Sequence, residues 1–155
     1  MKKLALLFTG LSLLAITGCN DDDTPELIYP ITGTWQPVKE VITVIPIGGG
    51  GVSDEITYSS CQQESRWVFN ENNSGKRTDN DEAGTPAICT VVSDRNFTYV
   101  YDKREKDIEI KYQGTMASDK GKVTLLNDNS LNLKIEDTTN PNEYQSVTYT
   151  FKRIP

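Results

Sequence analysis

Past residue 30 the chain alternates between apolar and polar positions with a period of two. Every second residue is apolar in Ser130-Leu131-Asn132-Leu133-Lys134-Ile135-Glu136. The same holds in Asp107-Ile108-Glu109-Ile110-Lys111-Tyr112 and in Val147-Thr148-Tyr149-Thr150-Phe151-Lys152. Such runs predict strands that bury one face and wet the other, as antiparallel sheets do. Further strands are expected at 34–45, 65–70, 86–92, 96–102 and 121–126. No window carries a 3.6-residue apolar stripe, so little or no helix is expected beyond the N-terminal segment.

Turn chemistry separates these runs. Asn70-Glu71-Asn72-Asn73-Ser74-Gly75, Asp102-Lys103-Arg104-Glu105-Lys106, Asn127-Asp128-Asn129 and Asp137 to Asn142 read as tight polar connections. About eight short strands with turns at this spacing argue for an antiparallel barrel or sandwich, and the short hairpins favour a meander barrel. Closure would also remove exposed sheet edges. One connection is long, from Pro46 through Gly48-Gly49-Gly50-Gly51 to Ser60. It reads as a flexible surface loop, or more sharply as a lid over one end of the barrel. No Gly-Lys-Ser/Thr follows the glycines, so it is no phosphate loop.

The N-terminus has a different pattern. Met1-Lys2-Lys3 is a short basic stretch, and Leu4 to Thr17 is apolar. The apolar run is shorter than the ~20 residues of a membrane-spanning helix and reads as an export signal. Its end, Ile16-Thr17-Gly18-Cys19, resembles the lipobox of bacterial lipoproteins. That resemblance implies cleavage after Gly18, acylation of Cys19, and attachment to a lipid membrane, which two or three acyl chains make durable. Asn20-Asp21-Asp22-Asp23 resembles the surface-export signal of Bacteroidetes lipoproteins, and also reads as a solvated tether. The implied organisation is a signal peptide at 1–18, an acidic linker at 19–30 and a β domain at 31–155. The implied location is the outer membrane, facing the cell surface or otherwise the periplasm.

Charge and composition then narrow the function. The net charge of −6 repels nucleic-acid phosphates, and no basic cluster is longer than Lys103-Arg104, so nucleic acid is excluded as a partner. Histidine is absent. The chain therefore lacks the commonest general base, the commonest metal ligand, and any Ser-His or Cys-His pair. Asp79-Asn80-Asp81-Glu82-Ala83-Gly84 partly resembles a calcium loop, but Ala83 and Thr90 stand at two ligand positions, and a solvated acidic turn is the better reading. Glu109 and Glu136 lie on expected outward faces and form no acid pair. Asp137-Thr138-Thr139 resembles a short O-glycosylation motif. No enzyme, metal or cofactor is expected.

Two cysteines remain in the exported part, Cys61 and Cys89, 28 residues apart. Exported cysteines most often pair, and closing that loop is worth roughly 3–4 kcal/mol on the chain-entropy model. A zinc site is disfavoured without histidine or close spacing, and a reactive thiol without a basic neighbour.

Gly33-Thr34-Trp35 resembles the G-x-W motif of lipocalins. Together with Cys61 ahead of Trp67-Val68-Phe69-Asn70 and Gly75, Cys89, and the closing Val147-Thr148-Tyr149-Thr150-Phe151-Lys152-Arg153, it is similar to the lipocalin-like lipoproteins of Bacteroidetes. The resemblance covers nearly all of 31–155, though the middle T-D-Y motif of lipocalins is missing. It implies an all-β, eight-stranded, up-and-down antiparallel barrel with Trp35 plugging one end and Arg153 stacked on it.

Eight strands enclose a space that side chains fill or that holds one small molecule. The inward candidates are Trp67, Phe69, Tyr99, Tyr101, Ile108, Ile110, Tyr112, Val123, Leu125, Leu131, Leu133, Ile135, Val147, Tyr149 and Phe151. Buried tyrosine hydroxyls need partners, so Tyr99, Tyr101 and Tyr149, with Trp67, are the candidate ligand contacts. The expected function is a monomeric, membrane-anchored lipoprotein that binds a small apolar or amphipathic ligand. The alternative is a solid barrel acting as a surface interaction module.

Overall fold

In the computed structural model, residues 29–137 and 139–155 are described. Among them, nine strands follow in chain order: β1 (Gly33–Pro46), β2 (Val52–Thr57), β3 (Arg66–Phe69), β4 (Ser74–Ala83), β5 (Ile88–Tyr101), β6 (Asp107–Tyr112), β7 (Asp119–Leu126), β8 (Ser130–Asp137) and β9 (Glu143–Ile154). The one helical element described is a single 3-10 turn at Gln62–Glu64. From β3 onward each strand pairs antiparallel with the next, β9 pairs with β1, and β1 pairs with β3. That circuit of eight strands closes into a barrel.

β2 stands outside the circuit. It shares one edge of β1 with β3: β3 pairs with Gly33–Trp35 and β2 with Lys39–Val44. β2 and β3 are thus two parts of one interrupted strand, and residues 58–65 loop out between them. The ladder between β3 and β4 ends at Arg66 and Thr78, so the upper part of β4 has no strand on that side. The wall is therefore split near the mouth.

The alternation in sequence sets the core. Along β6, Ile108, Ile110 and Tyr112 are buried while Asp107, Glu109 and Lys111 are exposed. Trp67, Phe69, Phe97, Tyr99, Leu131, Leu133 and Phe151 fill the same interior. Ring centroids here lie 5.0 Å apart for Phe69 and Tyr99, 5.2 Å for Phe69 and Phe97, and 5.3 Å for Trp67 and Phe151. Little space remains in the lower half of the barrel.

The lower end is plugged. Trp35 is 0% exposed, and its indole N–H donates to the Ile31 carbonyl at 2.8 Å. The Arg153 guanidinium lies 4.1 Å over the indole ring and donates to the Thr32, Pro30 and Asp128 carbonyls at 2.7, 2.9 and 2.7 Å. One cation thereby satisfies three chain-end and loop carbonyls and covers the tryptophan face.

Several sequence expectations need correction. The 46–60 connection is a hairpin rather than an open loop, because Val52–Thr57 pairs back along β1 as β2. Its glycines sit at the tip, where Gly48, Gly49 and Gly50 take φ of 110, 91 and 79°. Only glycine adopts such a turn without strain. The expected acidic turn at 79–86 is mostly strand, since β4 runs to Ala83. The runs 86–92 and 96–102 fuse into the single strand β5. Leu125, expected inside, is 44% exposed. A register shift between Val123 and Leu125 turns it outward, and Leu126 packs on the core instead.

Candidate ligand site at the barrel mouth

Inward positions on β4 alternate through Gly75, Arg77 and Asp79. Gly75 has no side chain because the Phe97 ring fills the space: a Cβ would lie 2.2 Å from it. Arg77, opposite Trp67 on β3, then reaches over the aromatic layer. Its guanidinium carbon sits 4.4 Å from the Trp67 ring centre and 5.7 Å from that of Tyr149. Its Nε–H donates to both Asp79 oxygens at 2.8 and 2.9 Å, and an Nη1–H donates to the Tyr112 hydroxyl at 3.4 Å. A guanidinium keeps its charge even when largely buried, so it needs such partners.

Above this layer lies a cavity of about 260 Å³. Glu40, Tyr58, Trp67, Arg77, Asp79 and Tyr149 are among the residues that line it. β1 and β9 bring Glu40 and Tyr149 into register with each other. Tyr58 comes from the looped-out segment and donates its hydroxyl proton to Glu40 Oε2 at 2.6 Å.

That segment is pinned at several points. The Tyr58 N–H donates to the Val38 carbonyl at 3.0 Å, and the Gln36 side-chain amide to the Gln63 carbonyl at 2.6 Å. The Asn80 N–H donates to the Ser65 hydroxyl at 2.8 Å, satisfying a donor on the open edge of β4. The Cys61–Cys89 disulfide ties the segment to β5, with Cα atoms 5.4 Å apart. The cysteine pairing expected from the exported context is therefore present.

Burial pushes the Tyr58, Tyr112 and Tyr149 hydroxyls above their ordinary range, and for Tyr58 the adjoining Glu40 adds to the rise. Burial opposes the charge on Arg77, but Tyr112, Tyr149 and Asp79 outweigh it and hold the guanidinium protonated. The mouth thus keeps the Arg77 guanidinium charged and its phenols neutral at physiological pH. It offers hydrogen-bond donors and acceptors beside flat aromatic walls. Among the described residues, no group of three or more cysteine, aspartate or glutamate side chains could hold a metal ion.

The structure divides the four candidate tyrosine and tryptophan contacts between two ends. Trp67 and Tyr149 lie together at the mouth, with ring centroids 5.4 Å apart. Tyr99 lies in the filled lower half, where its hydroxyl donates to the Asn70 carbonyl at 2.7 Å. Tyr101 is partly buried against the same core. Cys19 lies outside the described residues. Glu40, Tyr58 and Arg77 were not singled out from the sequence, and Asp79 only as part of an acidic turn. The signal for Arg77 was the period-two order Gly75, Arg77, Asp79, which becomes legible only once β4 is recognised as a strand.

Other openings are less enclosed. One of about 640 Å³ is a groove beside Lys76, Thr98 and Lys111. Glu136 points outward and accepts the Tyr144 hydroxyl at 3.0 Å. No described helix is long and apolar enough to cross a membrane.

A closed eight-stranded antiparallel barrel, shut at one end by a stacked tryptophan and arginine and open at the other, defines the structural class. The chain belongs to the lipocalin-like domain family, whose model matches residues 31–133. No curated protein sequence matches it. Among solved structures it is similar to lobster apocrustacyanin A1, at 12% identity and a TM-score of 0.47, over 79% of this chain and 60% of that one. It is also similar to bovine odorant binding protein in complex with undecanal, at 13% identity and a TM-score of 0.41, over 80% and 71%. Aphrodisin, a sex pheromone from female hamster, matches at 8% identity and a TM-score of 0.38, over 81% and 76%. The chain thus spans about three fifths of the lobster protein's length.

Proposed function

We propose that this protein is a lipocalin-like lipoprotein, held to a membrane through Cys19, whose barrel mouth receives a small amphipathic molecule. The observation that carries this reading is the cavity of about 260 Å³ above Trp67 and Arg77. It joins an aromatic floor to polar groups at one spot, as small-molecule sites do. The proposed role is binding rather than catalysis.

The anchor rests on Ile16-Thr17-Gly18-Cys19 and the apolar run before it. Pro30 and Thr32 are held at the plugged end by Arg153, so a tether preceding them leaves from that end. The acidic Asp21-Asp22-Asp23 supports the cell-surface face of an outer membrane.

Native mass spectrometry of the full protein purified from its own host tests the ligand. A co-purified small molecule is expected, and it should be lost when Ser93, which lines the cavity, is changed to Trp. A bare chain, or a ligand retained by the Ser93→Trp variant, would count against the mouth. For the anchor, Cys19→Ala is expected to move the protein from the membrane to the soluble fraction. Continued membrane association of that variant would contradict it.

A second reading, a surface interaction module, is favoured by a different observation. Ile47 and Val52 on one upper hairpin are 75% and 68% exposed, and Ile88 on the other is 63% exposed. Under that reading native mass spectrometry shows no ligand, and Ile47→Ser with Val52→Ser abolishes association with a protein partner.

A further inference from the structure

The charges lining the mouth cavity do not balance. Arg77 is the one base among the lining residues, and Glu40, Asp79 and Asp81 are the acids. Arg77 directs its Nε–H to both oxygens of Asp79 and sits 4.4 Å over the Trp67 ring, so its charge is already matched. Asp81 accepts the Glu82 N–H at 2.8 Å. Glu40 accepts only a neutral partner, the Tyr58 hydroxyl, at 2.6 Å. Among the described residues no lysine or arginine lies within ion-pairing distance of Glu40.

A carboxylate in a partly enclosed site gains most from a cation brought to it, because water there competes less. The walls suit an organic cation. The Tyr58 and Tyr149 rings that line the cavity present faces that attract ammonium groups and pack on hydrocarbon. An anionic head would instead meet a guanidinium that is already engaged. The volume, about 260 Å³, falls under the ~300–1,000 Å³ of drug-sized pockets. The ligand is therefore small, on the scale of one ring and a short chain.

We propose that the mouth selects a small amphipathic amine, with its ammonium seated on Glu40 and its hydrocarbon body against Tyr58 and Tyr149. This rests on the mouth being a ligand site and adds the charge that site reads.

Three probes with the same ring and different heads separate the two claims: phenethylamine, 2-phenylethanol and 3-phenylpropionate. Each is titrated calorimetrically into the full chain. Phenethylamine is expected to bind about tenfold tighter than the alcohol, the scale of one charge-assisted hydrogen bond, with the acid weakest. Glu40→Gln is expected to bring the amine down to the level of the alcohol, since an amide oxygen still accepts from Tyr58. Equal binding of amine and alcohol by the native protein overturns the amine assignment and leaves the mouth as a ligand site. Tighter binding of the acid overturns it in favour of Arg77 as the reader. An amine preference that survives Glu40→Gln removes Glu40 from the role. No binding of any probe overturns both claims. Should the variant not fold, the ranking in the native protein decides alone.

Discussion

Arg77 and Arg153 use the same stacked geometry to opposite ends. Arg153 lies on Trp35 and satisfies carbonyls from the N-terminal approach and the 127–129 turn, which shuts the base. Arg77 lies on Trp67 beside a space that stays open. Arg153→Ala is expected to cost about 2–3 kcal/mol in urea unfolding, the scale of lost charge-assisted bonds plus the cation–π contact. A loss under about 0.5 kcal/mol would mean that the plug is decorative. Gly75→Ala is expected to cost about 1–3 kcal/mol by overpacking, because the added methyl meets both the Phe97 ring and the Val68 carbonyl.

The mouth tyrosines also set a pH dependence. Burial holds protons on Tyr58, Tyr112 and Tyr149 above the ordinary value of 10.0. The folded state binds these protons more tightly than the unfolded chain does. Their contribution is therefore whole below pH 10 and is lost as pH rises above it. The Tm is expected to fall steeply above about pH 10, and less steeply in Tyr149→Phe. An unchanged slope in that variant would show that the buried hydroxyl is not linked to folding. With no histidine in the chain, no comparable transition is expected between about pH 5 and pH 8.

At the scale of elements, legibility followed the apolar content of the inward face. β6, β8 and β9 bury Ile108 and Ile110, Leu131 and Leu133, and Phe151, so their alternation is visible in the chain. β4 has the sequence Ser-Gly-Lys-Arg-Thr-Asp-Asn-Asp-Glu-Ala, with a glycine, an arginine and an aspartate facing in. Hydrophobic patterning cannot see such a strand, although neighbours hold it on one side throughout. β2 is exposed along its whole length and buries nothing that would mark it. The site residues missed in the sequence, Arg77 and Tyr58 above all, come from β4 and from the segment after β2. Trp35 and Arg153, in contrast, were legible because they sit in short motifs at the two ends of the domain.

The segment at 58–65 is held over the mouth by the disulfide to β5. Replacing both Cys61 and Cys89 by Ser is expected to cost roughly 3–4 kcal/mol in denaturant unfolding. It should also weaken binding at the mouth, because Tyr58 loses its covalent backing. Binding unchanged alongside the expected stability loss would confine the disulfide to a structural role.

The whole molecule has two ends with different physics. The lower end is aromatic and sealed. The upper end is split between hairpins, carries charge, and leaves a cavity beside Trp67. The barrel itself could be inferred from strand count and hairpin spacing, but the asymmetry could not, since it depends on where β2 stops pairing and β4 continues. The chain has two tryptophans, cross-strand partners that lie under different guanidinium groups, Trp35 under Arg153 and Trp67 under Arg77, and so two indole N–H signals in a nitrogen–proton NMR spectrum. Titration of the labelled full chain with phenethylamine and 2-phenylethanol therefore reads the plug, through Trp35, and the cavity floor, through Trp67, at once. The expected result is a saturable shift of the Trp67 indole, with Tyr58 and Tyr149, while the Trp35 indole stays in place. Shifts confined to Trp35 or to the groove beside Lys76 and Lys111, or no saturable shift at all, would contradict a ligand site at the mouth.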